Sequence, residues 1–477
     1  MNETDFDVVV IGAGASGIAA LEQLTKHSSF KVVCFELRLE FGGVWSLDGS
    51  RKCDEFHVNF DQLGRPFVQG LPLDSTPLYD GLRTNVPTEL MAYRNKPFPE
   101  SSAQYPPGLE VSKYLHHFSR GLEKHVQFGC RVTRVRYPHA GENRTNGRRW
   151  IIEVEDMPGT SQGSLKARKV HCDFVLCANG HYTVPYIPYI PSLSTWPKKI
   201  IHSCIYHTAT NPIFHDQTVA VVGIGPSGYD IIRELAILRE QTHLANSSKR
   251  LYSVASHPPK LGWDFNDPSA PSWSRQITTV PRFTHIHGNK IYLENGCMLD
   301  DVDLICFATG YLYSFPFCHD SDSPWKANPL ICVPSPLAGC ASDILENADS
   351  SYPRAGLRVH NIDENQIFYY PDPSFAFLVL NTQVVPFPLA EYQVRAVTAR
   401  WSGRRCFPLA PFKNKADETR SVHALPPPQE FEIENKLLEL IGEGGDKDTD
   451  DHWGFVPKWK YKSRSEIPET RRRELGY

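Results

Sequence analysis

The chain lacks any apolar run long enough to cross a membrane. About 18 residues would be needed, and the longest candidate, residues 8–24, is interrupted by glycines and ends in Glu22-Gln23-Leu24. It lacks a basic, apolar leader, because Asp5 and Asp7 stand where a positive segment would be. Net charge is small: 50 Lys+Arg against 54 Asp+Glu leave −4 at pH 7, which speaks against a nucleic-acid partner. There is no long low-complexity tract. No residue pattern marks a nucleophile–base triad, a metal-ligand cluster or a carboxylate pair, so no metal is expected. These absences leave a cytoplasmic globular protein with no transmembrane segment. Its 477 residues, 41% hydrophobic and 22% charged, suffice for two or three domains. A homo-oligomer is compatible with all of this.

Cysteine is present but scattered, 12 in all, which suits a reducing compartment and makes the sequons at Asn2, Asn143 and Asn246 unimportant. Cys172-Asp-Phe-Val-Leu-Cys177 has the spacing of a redox disulfide. On a strand, however, side chains five apart point to opposite faces, so two structural thiols are expected. Lys458 to Arg473 is basic but interrupted by Glu466 and Glu469, and reads as a solvated tail.

Two glycine fingerprints dominate what is there, and their first glycines are 211 residues apart. Asp7-Val-Val-Val-Ile-Gly12-Ala13-Gly14-Ala15-Ser16-Gly17 joins a buried strand to a helix beginning near Ile18. The first glycine permits the turn, the second lets backbone approach a pyrophosphate, and the third lets helix pack on strand. The next strand, Lys31–Glu36, ends on an acid suited to ribose hydroxyls. Val219–Val222 with Gly223, Gly225, Pro226, Ser227 and Gly228 repeats the design. Its following strand, 250–256, ends in His257-Pro-Pro-Lys260 rather than an acid. No charge there repels a 2′-phosphate, and Lys260 or His257 could attract one, which favours NADPH over NADH. Ser227 and Asp230 open the second helix and are expected at the pyrophosphate or as caps.

The fold class is therefore α/β, with two Rossmann-like domains. Residues 126–154 read as a β-meander with a turn at 142–147. The proline-rich stretch 184–191 reads as an extended linker. Residues 303–311, Asp-Leu-Ile-Cys-Phe-Ala-Thr-Gly-Tyr, echo 173–181, Asp-Phe-Val-Leu-Cys-Ala-Asn-Gly-His. The repeat suggests one chain crossing out of a domain and one back. Hence residues 1–190 form the first part of an FAD-binding domain, 191–316 an inserted NADPH-binding domain, and 317–477 the second part of the FAD domain with the tail.

The ordered set of motifs resembles the flavin-containing monooxygenase family of class B flavoprotein monooxygenases, in its soluble fungal and plant branch. The stretches are Gly12–Gly17; Glu36 with Phe41-Gly-Gly43-Val44-Trp45; Leu82-Arg-Thr84-Asn85; the linker ending in His202; Gly223–Asp230; Ala308-Thr-Gly-Tyr311; and Pro386–Glu391 with Gln393 and Gly403. The signature stretch departs from the family in Trp196 and in Lys198, which replaces a glycine, but keeps His202 and Tyr206. His202 is a hinge residue or, the plainer reading, a satisfied core histidine. The resemblance implies FAD and NADPH as cofactors and a small-molecule substrate with O2. One oxygen atom passes to a soft sulfur or nitrogen through a flavin C4a-hydroperoxide. It also implies Asn85 as the catalytic residue beside the flavin, although local chemistry alone would make it a turn residue. Gly43, Val44, Trp45, Thr84 and Val132 are implied as flavin contacts. The alternatives are a Baeyer–Villiger enzyme acting on a ketone, disfavoured by Tyr206-His207, an uncoupled NADPH oxidase, and a nucleotide-sensing module without catalysis.

Overall fold

A computed structural model describes residues 5–46, 56–61, 64–69, 76–142, 147–157, 167–242, 248–332, 355–413 and 420–477. The three sequons and most of the turn expected at 142–147 lie outside these residues. Among the described residues no helix is long and apolar enough to cross a membrane.

Two parallel-stranded sheets organise the chain. In the first, Asp5–Ile11 lies between Val32–Phe35 and Ala167–Cys177, parallel to both. The long strand 167–177 then continues into an antiparallel meander with Trp150–Asp156 and Cys130–Arg136, as expected. Phe375–Phe377 also pairs with it in parallel. The second sheet is wholly parallel, in the order Lys199–His202, Leu304–Phe307, Val219–Val222, Leu251–Val254, Ile277–Val280. Its strands all fall in sequence between strands of the first sheet. The outgoing chain at Val184–Pro185 pairs antiparallel with the returning chain at Tyr311–Ser314, so the two crossings run side by side.

Continuous apolar runs form these central strands because each buries both faces. Val8 and Val10 pack against the helix Ala15–His27 and the helix Pro386–Trp401, while Val9 and Ile11 face the other core. Val219 and Val221 likewise face away from Ala220 and Val222.

Two sequence-level expectations need correction. Cys172 and Cys177 are free and buried, but Val170, Cys172, Val175 and Cys177 all fall in one core, so the opposite-face argument does not hold. Separation along the strand, about 16 Å at the usual rise, is what keeps the thiols apart. The basic C-terminus is not a solvated tail. It forms the helices Lys458–Ser465 and Ile467–Leu475, with Ile467 and Arg471 each 1% exposed. A one-sided apolar anchor and pairing of its charges with buried acids hold it down, neither visible from charge density alone.

Candidate functional site

Both fingerprints make the same turn. Gly12 has φ +97° and Gly223 φ +101°. A Cβ on Gly12 would lie 2.7 Å from the Ala178 carbonyl oxygen, and one on Gly223 would lie 2.6 Å from that of Ala308. The repeated Ala-x-Gly turns are thus the neighbouring strand ends against which each fingerprint closes. A Cβ on Gly17 would meet the Gly12 oxygen at 1.9 Å, and one on Gly228 the Gly223 oxygen at 2.0 Å, so these glycines serve packing of helix on strand. In each sheet the turn sits where strand order reverses, at the carboxyl ends, the place where open α/β sheets take ligands.

Both turns open on one cavity of about 2070 Å3. Gly12, Gly14, Ala15, Ser16, Glu36, Gly43, Val44, Trp45, Thr84, Asn85 and Val132 line it, together with Gly223, Gly225, Pro226 and Ser227. Ala13 lies behind the wall and donates its N–H to Glu36 Oε2 at 2.5 Å, while Arg38 N–H reaches Oε1 at 2.8 Å. Burial pushes the Glu36 carboxyl up, and these two N–H groups pull it down. Thr84 is buried and donates to the Val86 carbonyl, which shapes the turn that presents Asn85. The Asn85 Oδ1 is buried and has no hydrogen-bond partner. Trp45 stands edge-on to Phe387, with ring centroids 6.4 Å apart.

His202 is fully buried. Its Nε2 lies 3.0 Å from the Gly310 carbonyl, and its Nδ1 accepts from the Cys204 N–H. Burial lowers its pKa to about 3, so it is a neutral, satisfied core histidine that ties the signature stretch to the second Ala-x-Gly turn. Lys198 bonds the Val302 carbonyl and Asp303. Its backbone is not in the left-handed region, so a side chain is tolerated where the family has glycine.

Both expectations for Asp230 fail here. Asp230 is not on the cavity wall. It is 1% exposed, accepts from the Tyr79 hydroxyl, and pairs with Arg233 and Arg471. Nor does it cap its helix, whose N-cap is Gly225 without a side-chain bond. His257 and Lys260 are exposed and lie away from the cavity wall.

The segment 378–384 also lines the cavity, and no sequence motif marks it. Val379 and Gln383 have φ of +54° and +63°, conformations costly for residues with a side chain. Val379 N–H is held by Gln393 Oε1 at 2.7 Å, and Gln393 Nε2 donates to Asn381 Oδ1. The Asn381 Nδ2 is buried and unpartnered on the same cavity. The motif containing Gln393 carried a signal of this, but strain is not readable from residue types.

Two dinucleotide turns of one design, facing a shared cavity, define the two-nucleotide oxidoreductase class. The flavin-binding monooxygenase-like family model matches residues 6–257, more than half of the chain, and the chain belongs to that family. It is 28% identical over 412 residues to flavin-containing monooxygenase FMO GS-OX5 of Arabidopsis thaliana, covering 84% of this chain and 75% of that one. It is 26% identical over 451 residues to flavin-containing monooxygenase iboF of Amanita muscaria, covering 84% and 79%. Among solved structures, S-allyl-L-cysteine S-oxygenase from Allium sativum matches at 23% identity with a TM-score of 0.69, covering 99% of this chain and 94% of that one. The protein is thus an oxidoreductase, a flavin monooxygenase that uses FAD, NADPH and O2.

The residues present fit both cofactors. At Gly225, φ is −66° and an added Cβ would meet nothing within 4 Å. Neither backbone conformation nor packing calls for glycine there, which leaves close approach of a ligand as the reason. Beside the first fingerprint, Asn85 Oδ1 and Asn381 Nδ2 are buried polar atoms on the cavity without a partner in the protein, and Glu36, held by two backbone N–H groups, lines the same cavity.

Proposed function

We propose that this chain transfers one atom of O2 to a soft sulfur or nitrogen of a small molecule. FAD is held by Gly12–Gly17, Glu36, Gly43–Trp45, Thr84, Asn85 and Val132, and NADPH by Gly223 and Gly225–Ser227. The single observation that carries this is the opening of both congruent turns onto one cavity. The domain reading follows the sheets: FAD domain at 1–190 and 317–477, with the NADPH domain at 191–316 inserted.

Bound FAD, reduced by NADPH, supplies the activation of O2. The chain's own residues do the rest. Glu36 accepts from a ribose while its two backbone donors hold it in place. The N-terminus of each fingerprint helix, with no acid in its first turn, favours pyrophosphate. Asn85 is a neutral amide whose Nδ2 donates without protonating the reacting oxygen. Val86, Met91, Leu378, Val379 and Phe387 line the same cavity and belong to one apolar cluster, a lining suited to limiting water at the reacting atoms. An electrophilic oxygen donor and a nucleophilic substrate need no acid–base pair, in keeping with this lining. Tyr206-His207, which differs from the Baeyer–Villiger pattern at this place, favours sulfur or nitrogen over a ketone.

The test is turnover of a simple aryl thioether under 18O2, with peroxide measured alongside. One 18O atom in the sulfoxide per NADPH is expected, and Asn85→Ala should divert most NADPH to peroxide. Stoichiometric peroxide with no labelled product from the native enzyme would leave only the oxidase reading. Ester formation from a cyclic ketone in place of sulfoxide would favour the Baeyer–Villiger reading.

A further inference from the structure

The most unusual polar group outside the cavity is Arg471. It is 1% exposed, yet its Nε and Nη1 have no hydrogen-bond partner, and its nearest carboxylate is Asp230, 3.7 Å from Nη2. Asp230 also pairs with Arg233 at 3.4 Å and accepts from the Tyr79 hydroxyl. Glu234, one residue beyond Arg233, accepts from the Tyr206 hydroxyl at 2.5 Å. The Tyr477 ring covers the Arg233 guanidinium at 3.6 Å.

These groups come from four separate parts of the chain, and each part has another attachment. Tyr79 lies on the cavity wall, in the segment that continues to Asn85. Asp230 is three residues after Ser227, on the helix whose first turn faces the cavity. Tyr206 lies in the connection between two strands of the second sheet, Lys199–His202 and Val219–Val222. Arg471 belongs to a C-terminal segment docked on both sides. On the first side Arg464 pairs with Glu430 at 2.5 Å, Ser463 bonds Glu89, and Tyr105 bonds Thr470. On the second side Trp263 Nε1 donates to the Gly476 carbonyl, and Arg472 lies over the Trp263 ring.

Arg233 also has Glu234 at 3.5 Å, so Asp230 is the carboxylate that Arg471 relies on, and a buried guanidinium held by one shared carboxylate at 3.7 Å is a costly arrangement. Its donors are unused and its parts meet where the second fingerprint helix abuts the cavity wall. A purely structural anchor would be as well served by an apolar residue, as Ile467 is four positions earlier.

We propose that Arg471 is a positioning residue for NADPH. Through Asp230 it sets the second fingerprint helix against the Tyr79–Asn85 wall. The C-terminal helix thereby pre-organises the cofactor cradle it does not itself touch. This rests on the assignment of NADPH to the Gly223–Ser227 turn, so the experiment tests the two separately.

NADP+ binding to the FAD-loaded enzyme is titrated calorimetrically for the native chain, Arg471→Met and Ser227→Asp. Flavin content and melting temperature are recorded in parallel. Ser227→Asp sets a negative charge at the pyrophosphate and should weaken NADP+ binding. If it does not, the assignment of the turn falls, whatever Arg471 does. With that control positive, Arg471→Met is expected to raise the dissociation constant about tenfold, the order seen for residues that couple elements at a distance. Flavin content and kcat at saturating NADPH should be unchanged. A lowered melting temperature with native NADP+ affinity would overturn the proposal and leave Arg471 a structural residue. Should Arg471→Met not fold, Arg471→Lys carries the test, because it keeps the charge and loses the planar fork. Weakened NADP+ binding there supports positioning, and unchanged affinity overturns it.

Discussion

The glycines of the second fingerprint do different work, and the structure separates them. Gly228 is there because a Cβ would strike the Gly223 carbonyl. Gly225 has open space and an ordinary backbone. Gly228→Ala should therefore lower the melting temperature, at a cost of about 1–3 kcal/mol for overpacking. Gly225→Ala should leave stability near native and weaken NADP+ binding. Thermal melts with and without NADP+ check both, and a Gly225→Ala protein that binds NADP+ normally would remove the ligand from that turn. Asn85 and Glu36, both on the cavity wall, were legible in the sequence because each falls at a fixed place in a motif. Asp230 also falls in a motif, yet its partners Tyr79 and Arg471 come from 151 residues before it and 241 after. No local pattern could reveal them.

At the scale of an element, the helix Pro386–Trp401 carries a buried carboxyl that should make stability depend on pH. Glu391 is 3% exposed and accepts from the Arg94 N–H at 2.7 Å. Burial raises its pKa to about 8 from the ordinary 4.5. Glu430 and Glu434, on the neighbouring helix Gln429–Ile441, are shifted up by burial too. A carboxyl raised on folding holds its proton better in the folded chain. Its stabilising effect is complete below about pH 4.5 and is lost as pH rises through about 8. Stability should fall from pH 5 to 8 with a slope on the order of 1 kcal/mol per pH unit for one such proton. Glu391→Gln should flatten that slope, and denaturant melts across the range measure it. An unaltered slope in the variant would assign the dependence to the other two acids.

At the scale of the whole molecule, the C-terminal segment bridges the parts of the structure that carry the two fingerprints. Deleting 458–477 leaves Glu430 without Arg464, leaves Asp230 without Arg471, and opens the site of Ile467. Stability should drop by about 3–5 kcal/mol or more, as when one partner of a buried pair is removed. A solvated tail would have predicted no change, so a melt of the shortened chain decides between them.

Much of this architecture was legible from residue order alone. The two fingerprints, the acid after the first and none after the second, and the repeated Ala-x-Gly turns are local patterns. Each is dictated by short-range geometry: a glycine where a strand end blocks a side chain, and an apolar run where both faces are buried. What only the tertiary structure decided depends on contacts between distant segments. It placed Asp230 in an ionic cluster rather than at a phosphate, put Cys172 and Cys177 in one core, and bent Val379 and Gln383 into strained backbone on the cavity wall. It also folded a charged C-terminus onto buried acids. Charge and composition along a chain do not say which opposite charge awaits, because burial and pairing are settled only when the chain closes on itself.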